Sequence, residues 1–166
     1  MQQVRFFIFL ELDKLNMDSQ IIITDFEPIH QAGIDHLLAG IQNEYPDTIY
    51  GIGKKKIMDV YELPGRKYWV ATDLNVVIGS IGVLLLAHNN ACLKSMFLQK
   101  EYRGGSPQMA YLLLTTATDY AAKHGAKQII LGTIVQFKAA QAFYLKQGFT
   151  AIREDDLPTD FVKVIM

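Results

Sequence analysis

Apolar residues change their spacing several times along the chain, and each change predicts an element. Ile21-Ile22-Ile23-Thr24 is a short unbroken run that predicts a first strand. From Pro28 the spacing widens: Ile29, Gly33, Leu37 and Ile41, with Ile34 and Leu38, make one stripe. That stripe predicts a helix opened by the proline. Residues 43–66 are interrupted by Pro46, Gly51, Gly53, Pro64 and Gly65, with room for a short helix between Lys54 and Leu63.

Three apolar runs follow, separated by short polar turns. Lys67–Thr72 (KYWVAT), Val76–Leu86 (VVIGSIGVLLL) and Ala91–Gln99 (ACLKSMFLQ) predict an antiparallel meander. Gly79 and Gly82 inside the second run predict a bulge or a close approach of another group to the backbone. The period then returns to that of a helix. Ser106 as N-cap, Pro107 at the first helical position and Gly125 beyond the end bracket it, with Met109, Leu112, Leu113, Thr116 and Tyr120 on one face. Lys127–Leu131 predicts a short buried strand, parallel to the strand before the helix because the crossover is helical. Phe137–Gln147 predicts a second helix stopped by Gly148, and Phe149–Arg153 with Phe161–Met166 predict a closing hairpin. The expected class is α+β, a mixed, mostly antiparallel sheet of about seven strands with helices on its faces.

Composition narrows the function without naming it. The 166 residues suit one domain, expected to span 17–166 with 1–16 as an N-terminal extension and Met17 as an alternative start. A formal net charge of −1 lacks the basic excess of nucleic-acid binders, and Lys54-Lys55-Lys56 is the only basic run. No apolar run approaches the roughly 20 residues that span a bilayer. The single cysteine, Cys92, cannot form an internal disulfide, which suits a reducing, cytoplasmic setting. None of the four histidines has a partner at metal-ligand or triad spacing, so no metal is expected.

The most informative stretch is EYRGGSPQMAYL, Glu101–Leu112. A strand, a glycine-containing loop and a helix N-terminus together make a backbone anion site. Gly104 and Gly105 let main chain approach a phosphate with no Cβ in the way, and Arg103 adds a bidentate donor. No GxxxxGK[ST] or GxGxxG string is present, and a capped strand-to-helix turn explains the same residues equally well.

A second stretch separates the two readings. LKSMFLQKEYRGGSPQMAYLLL (Leu93–Leu114) followed by GAKQIILGTIVQFKAAQAFYLKQGF (Gly125–Phe149) resembles the GNAT superfamily of acyl-CoA-dependent N-acyltransferases. The resemblance lies in the strand ending before the Tyr-Arg-Gly loop and in the later AxxxYxxxGF helix, Ala140–Phe149, and it extends in element order over nearly the whole chain. It implies a bacterial-type N-acetyltransferase of three-layer fold, splayed between its fourth and fifth strands, with acetyl-CoA as co-substrate. An acetyl group would pass directly to a primary amine of a small molecule or peptide. The partners implied are acetyl-CoA and an amine-bearing acceptor, with no nucleic acid and no membrane, and a homodimer left open. A non-catalytic acyl-CoA-binding or regulatory module is the alternative.

The same resemblance implies roles by position. Met96, Phe97 and Leu98 would present backbone to the pantetheine arm, and an amide near Met96 or Phe97 would polarise the acetyl carbonyl. Arg103, Gly104, Gly105, Ser106, Gln108 and Met109 would surround the pyrophosphate, Phe137 would flank the cofactor, and Tyr144 would protonate the departing thiolate. Ser106 and Gln108 replace small residues of the family pattern, and Phe137 replaces a frequent asparagine. Cys92 stands near the strand position where many members carry a glutamate base, which leaves Glu27, Glu44 and Glu62 as candidates acting through water. Glu154, Asp155, Asp156 and Asp160 are expected near the acceptor cleft, where Tyr45, Tyr50, Tyr61 and Trp69 are candidate lining residues.

Overall fold

The computed structural model describes residues 21–47, 56–105 and 108–165. Five strands form one sheet in the order β1-β2-β3-β4-β5: β1 Ile21–Asp25, β2 Arg66–Asp73, β3 Val76–Leu85, β4 Asn90–Leu98 and β5 Gln128–Leu131. The first three pairings are antiparallel and the β4–β5 pairing is parallel. Helices α1 (Gln31–Glu44), α2 (Ile57–Tyr61), α3 (Met109–Lys123), α4 (Lys138–Lys146) and α5 (Thr159–Ile165) complete the α+β fold.

Alternation along the strands assigns the two faces. In β2, Trp69 and Ala71 join the cluster under α3, whereas Tyr68 and Val70 join the cluster under α1. Ile34, Leu37, Leu38 and Ile41 are the buried stripe of α1, but Ile29 is 82% exposed because Pro28–His30 is a tight 3-10 turn rather than the first turn of α1. On α3 the buried face is Met109, Leu113, Leu114, Ala117 and Ala121, rotated from the predicted one, with Leu112 left exposed. The alanines on this face have no side chain beyond Cβ, so they bring the helix axis near the sheet. Tyr120 does pack inward, with its ring 5.2 Å from Trp69.

The two glycines of β3 are both close-approach positions. A Cβ on Gly82 would lie 2.3 Å from the Tyr61 hydroxyl, and one on Gly79 would lie 2.9 Å from Leu98 Cδ1. Both flank Ser80, next to which the β3–β4 register shifts.

The closing hairpin does not form, and the strand count is five rather than seven among the described residues. Residues 150–153 have no regular structure, and Thr159–Ile165 is helix α5. Pro158 decides this: its carbonyl accepts the N–H groups of Phe161 (3.0 Å) and Val162 (3.1 Å), which winds the segment into helix despite its alternating apolar pattern. The expected capping pair Ser106 and Pro107 lies outside the described residues, as do residues 1–20 and Tyr50.

Candidate functional site

The site is built where β4 and β5 part. Their register runs from Asn90↔Gln128 to Leu93↔Leu131 and stops there, while β4 continues along β3 to Leu98. Among the described residues, 95–98 therefore have no strand partner on the β5 side. Inside this stretch Ser95 takes a positive φ of 55° and acts as the extra residue of a bulge. The bulge flips the alternation: Ala91 and Leu93 belong to the α3 cluster, and after Ser95 so do Met96 and Leu98, with Phe97 on the other face. Without the extra residue Met96 would share the face of Cys92.

That shift aims Met96 at α4. The Tyr144 hydroxyl donates to the Met96 thioether at 3.3 Å, 48 residues away in sequence. Tyr144 is held by its neighbours Phe143 and Phe149, whose ring centroids lie 5.4 and 5.6 Å from its own. Phe149 is fixed in turn by the end of the helix. Gly148, at φ 91°, donates to the Leu145 carbonyl, and Phe149 donates to the Tyr144 carbonyl at 3.1 Å, a Schellman closure. Burial pushes the Tyr144 phenol up to about 12, so the group is neutral at physiological pH and available as a proton donor. A thioether is a weak acceptor, and the proton is readily redirected to a better one.

The loop after β4 is tied down at both ends. The Tyr102 hydroxyl donates to Asp73 Oδ2 at 2.8 Å. Arg103 donates Nε to the Leu98 carbonyl at 2.8 Å and both terminal nitrogens to the Glu44 carboxylate, at 2.8 and 2.9 Å. The fork is thus engaged by α1 and β4. At Gly104 and Gly105 a Cβ would meet nothing within 4 Å, so this part of the backbone is open. Gln108 is exposed, and Met109 beside it is anchored in the core. The end of α1 also reaches α4, since Tyr45 and Phe137 meet edge to face at 4.7 Å. Gln141 Nε2 holds the loop before α4 through the Ile134 carbonyl at 3.0 Å.

The sequence profile of the acetyltransferase (GNAT) family matches residues 36–149, more than half of the chain. The chain belongs to the GNAT acetyltransferase family. A GNAT-family acetyltransferase from Staphylococcus aureus is 29% identical, covers 85% of this chain and 91% of its own, and superposes with a TM-score of 0.77. An acetyltransferase from Streptococcus agalactiae is 27% identical over 84% of this chain and 89% of its own, also at 0.77. The fold is shared more distantly by an aminoglycoside N-acetyltransferase, AAC(6')-Iy, solved in complex with CoA: 14% identity, 84% of this chain, 93% of its own and a TM-score of 0.64. No curated protein matches the sequence.

As a GNAT protein the chain is an acyltransferase, and the family uses acetyl-CoA. The residues present fit that group, with open glycine backbone before α3 and, opposite Tyr144, a β4 edge that pairs with no strand beyond Leu93 on the β5 side among the described residues. Cys92 is fully buried, and burial pushes its thiol up to about 11, the wrong direction for a base. Glu44 is committed to Arg103, whereas Glu27 and Glu62 lie together on the α1 face at the rim of a cavity. Trp69 is core. Glu154, Asp155 and Asp156 form an exposed turn, with Asp156 paired to Arg153, and Asp160 accepts the Phe161 N–H. No group of metal-ligating side chains occurs among the described residues. Two participants escaped the sequence reading: the Ser95 bulge and the Met96 side chain. The polar Lys94-Ser95 pair breaking an apolar strand beside a glycine-bearing neighbour was the available signal for the first.

Proposed function

We propose that the protein transfers an acetyl group from acetyl-CoA to the nitrogen of a primary amine, by direct attack with both substrates bound. The observation that carries this is the Tyr144 hydroxyl held neutral beside Met96, on the part of β4 that pairs with no strand on the β5 side among the described residues. When bound, acetyl-CoA supplies a thioester whose carbonyl carbon accepts the amine. The C–N bond forms there as the C–S bond breaks. The amine gives up its proton to solvent, and Tyr144 delivers its phenol proton to the leaving sulfur.

Backbone of residues 96–98 would hold the pantetheine arm, and the main chain of Gly104 and Gly105, with the segment through Ser106, Gln108 and Met109, would receive the pyrophosphate at the start of α3. Phe137 would border the cofactor from α4. Titration of the protein with acetyl-CoA by calorimetry, followed by thiol release on addition of an amine, tests the reading. Saturable heat and amine-dependent thiol release are expected. Acetyl-CoA binding with no transfer to any amine would instead favour the non-catalytic module.

Arg103 supports the loop rather than presenting a free charge, because Glu44 neutralises it. Glu44→Gln removes that counter-charge and should tighten acetyl-CoA binding roughly three- to tenfold at low salt, from about 1 kcal/mol of Coulomb energy per exposed contact. The gain should shrink as salt rises. Unchanged or weaker binding at low salt would show that the ion pair's role is to shape the loop.

A further inference from the structure

Ser80 lies in the middle of β3 and is fully buried, the one polar side chain in a strand of glycines and apolar residues. Ile81 and Val83 belong to the cluster under α3, and a Cβ on Gly79 would meet Leu113 there. Ser80 and Gly82 therefore face α1. On that side the Tyr68 hydroxyl sits beside Ser80, and the Tyr61 hydroxyl lies over Gly82.

A buried hydroxyl needs a partner, and Ser80 has one on the neighbouring strand. Its Oγ donates to the main-chain carbonyl of Ser95 at 3.0 Å. Ser95 is held a second time, because the Tyr61 hydroxyl meets its Oγ at 3.4 Å. The positive φ of 55° at Ser95 is uncommon for a residue with a Cβ, and such a conformation persists only where the surroundings impose it. Ser80 and Tyr61 impose it from the α1 side.

The consequence lies in the next peptide group. The C=O and N–H of one trans peptide point in nearly opposite directions within its plane. With the Ser95 carbonyl drawn to the α1 side, the Met96 N–H is turned to the α3 side. Met96 and Tyr144 meet on that side, where β4 has no strand partner towards β5 among the described residues. Attack by the amine places negative charge on the carbonyl oxygen beside the sulfur that Tyr144 protonates. A donor fixed in advance stabilises that charge without reorganising. We propose that Ser80 is a positioning residue for acyl transfer: its hydrogen bond to the Ser95 carbonyl aims the Met96 N–H at the acyl oxygen of acetyl-CoA. This rests on the acyl-transfer reading above and gives a fully buried side chain a part in it.

Acetyl-CoA labelled with carbon-13 at the carbonyl reports on that contact by infrared difference spectroscopy. Ser80→Ala removes the donor. Ser80→Cys keeps the volume with a weak donor and supplies the test where the alanine variant does not fold. Bound to the whole protein, the carbonyl band should lie at lower frequency in the wild type than in either variant. The variants should lose about tenfold or more in kcat, within the roughly 10²–10³-fold that loss of an oxyanion donor costs. CoA has no acyl carbonyl and should bind all three proteins equally. An unshifted band overturns the proposal whatever happens to kcat, because a merely structural loss would lower kcat alone. An unchanged kcat overturns it as well. Wild-type protein that transfers acetyl to no amine removes the acyl-transfer reading and this one with it. Wild-type transfer with indifferent Ser80 variants removes only the role of Ser80.

Discussion

Replacing Tyr144 by Phe lowers kcat by about 10²–10⁴-fold, the range for loss of a positioned general acid, and leaves the KM for acetyl-CoA nearly unchanged. The ring stays between Phe143 and Phe149, so packing is kept and only the hydroxyl that meets Met96 is lost. The pH profile adds a second constraint. Burial pushes this phenol up to about 12, so it remains protonated and able to donate throughout the ordinary assay range. Wild-type turnover should rise with pH as the amine loses its proton and should not fall near pH 10, where an exposed tyrosine ionises. The sign for stability is the same: a phenol raised above its unfolded value contributes stability that is intact below about pH 10 and is lost as pH climbs towards the folded value. Initial rates of thiol release across pH, for both proteins, check all of this. Wild-type-like kcat in Tyr144→Phe would remove the acid role, and a fall in turnover centred near pH 10 would mean the phenol is not desolvated as the structure has it.

Much of this arrangement was legible in the residues, and the reason differs from element to element. The meander, α3 and α4 follow from changes in apolar period and from glycines at helix ends, which are local rules; Gly148 and Phe149 closed α4 as the spacing implied. Tyr144 was singled out by the resemblance of Ala140–Phe149 to the family's AxxxYxxxGF helix, and spacing alone does not assign it a role. What was hidden is what depends on another element. Ile29 belongs to the stripe of α1 by spacing, yet Pro28 commits it to a separate turn. The Met96–Tyr144 contact requires the Ser95 bulge, and no single-strand pattern says which face follows an extra residue. Arg103 has the look of a free phosphate contact, but Glu44, 59 residues earlier, takes both ends of its fork. Charge partners at such separation cannot be read along the chain.

The same contrast makes the closing segment the sharpest test of the fold. Phe161, predicted on a strand, is instead on α5 and only 2% exposed, packed with Leu84 and Cys92 behind β3 and β4. Tyr61, Leu86, Ile130 and Leu157 complete its surroundings, so one side chain joins α5 to the sheet and to the tyrosine that reaches Ser95. Phe161→Ala removes a buried ring from among Leu84, Cys92, Tyr61, Leu86, Ile130 and Leu157 and leaves a cavity between them. The expected cost is about 3–5 kcal/mol, a large share of the roughly 5–15 kcal/mol that keeps a domain folded. For a chain of this size that lowers the thermal midpoint by roughly 6–20 °C. Circular dichroism melts of the two proteins measure it, and Phe161→Leu, which refills most of the space, should recover more than half of the loss. A shift of only a degree or two for Phe161→Ala would mean that α5 is not docked by this ring. In that case the α1 face behind β3 and β4, and the Tyr61 position that depends on it, would need a different support.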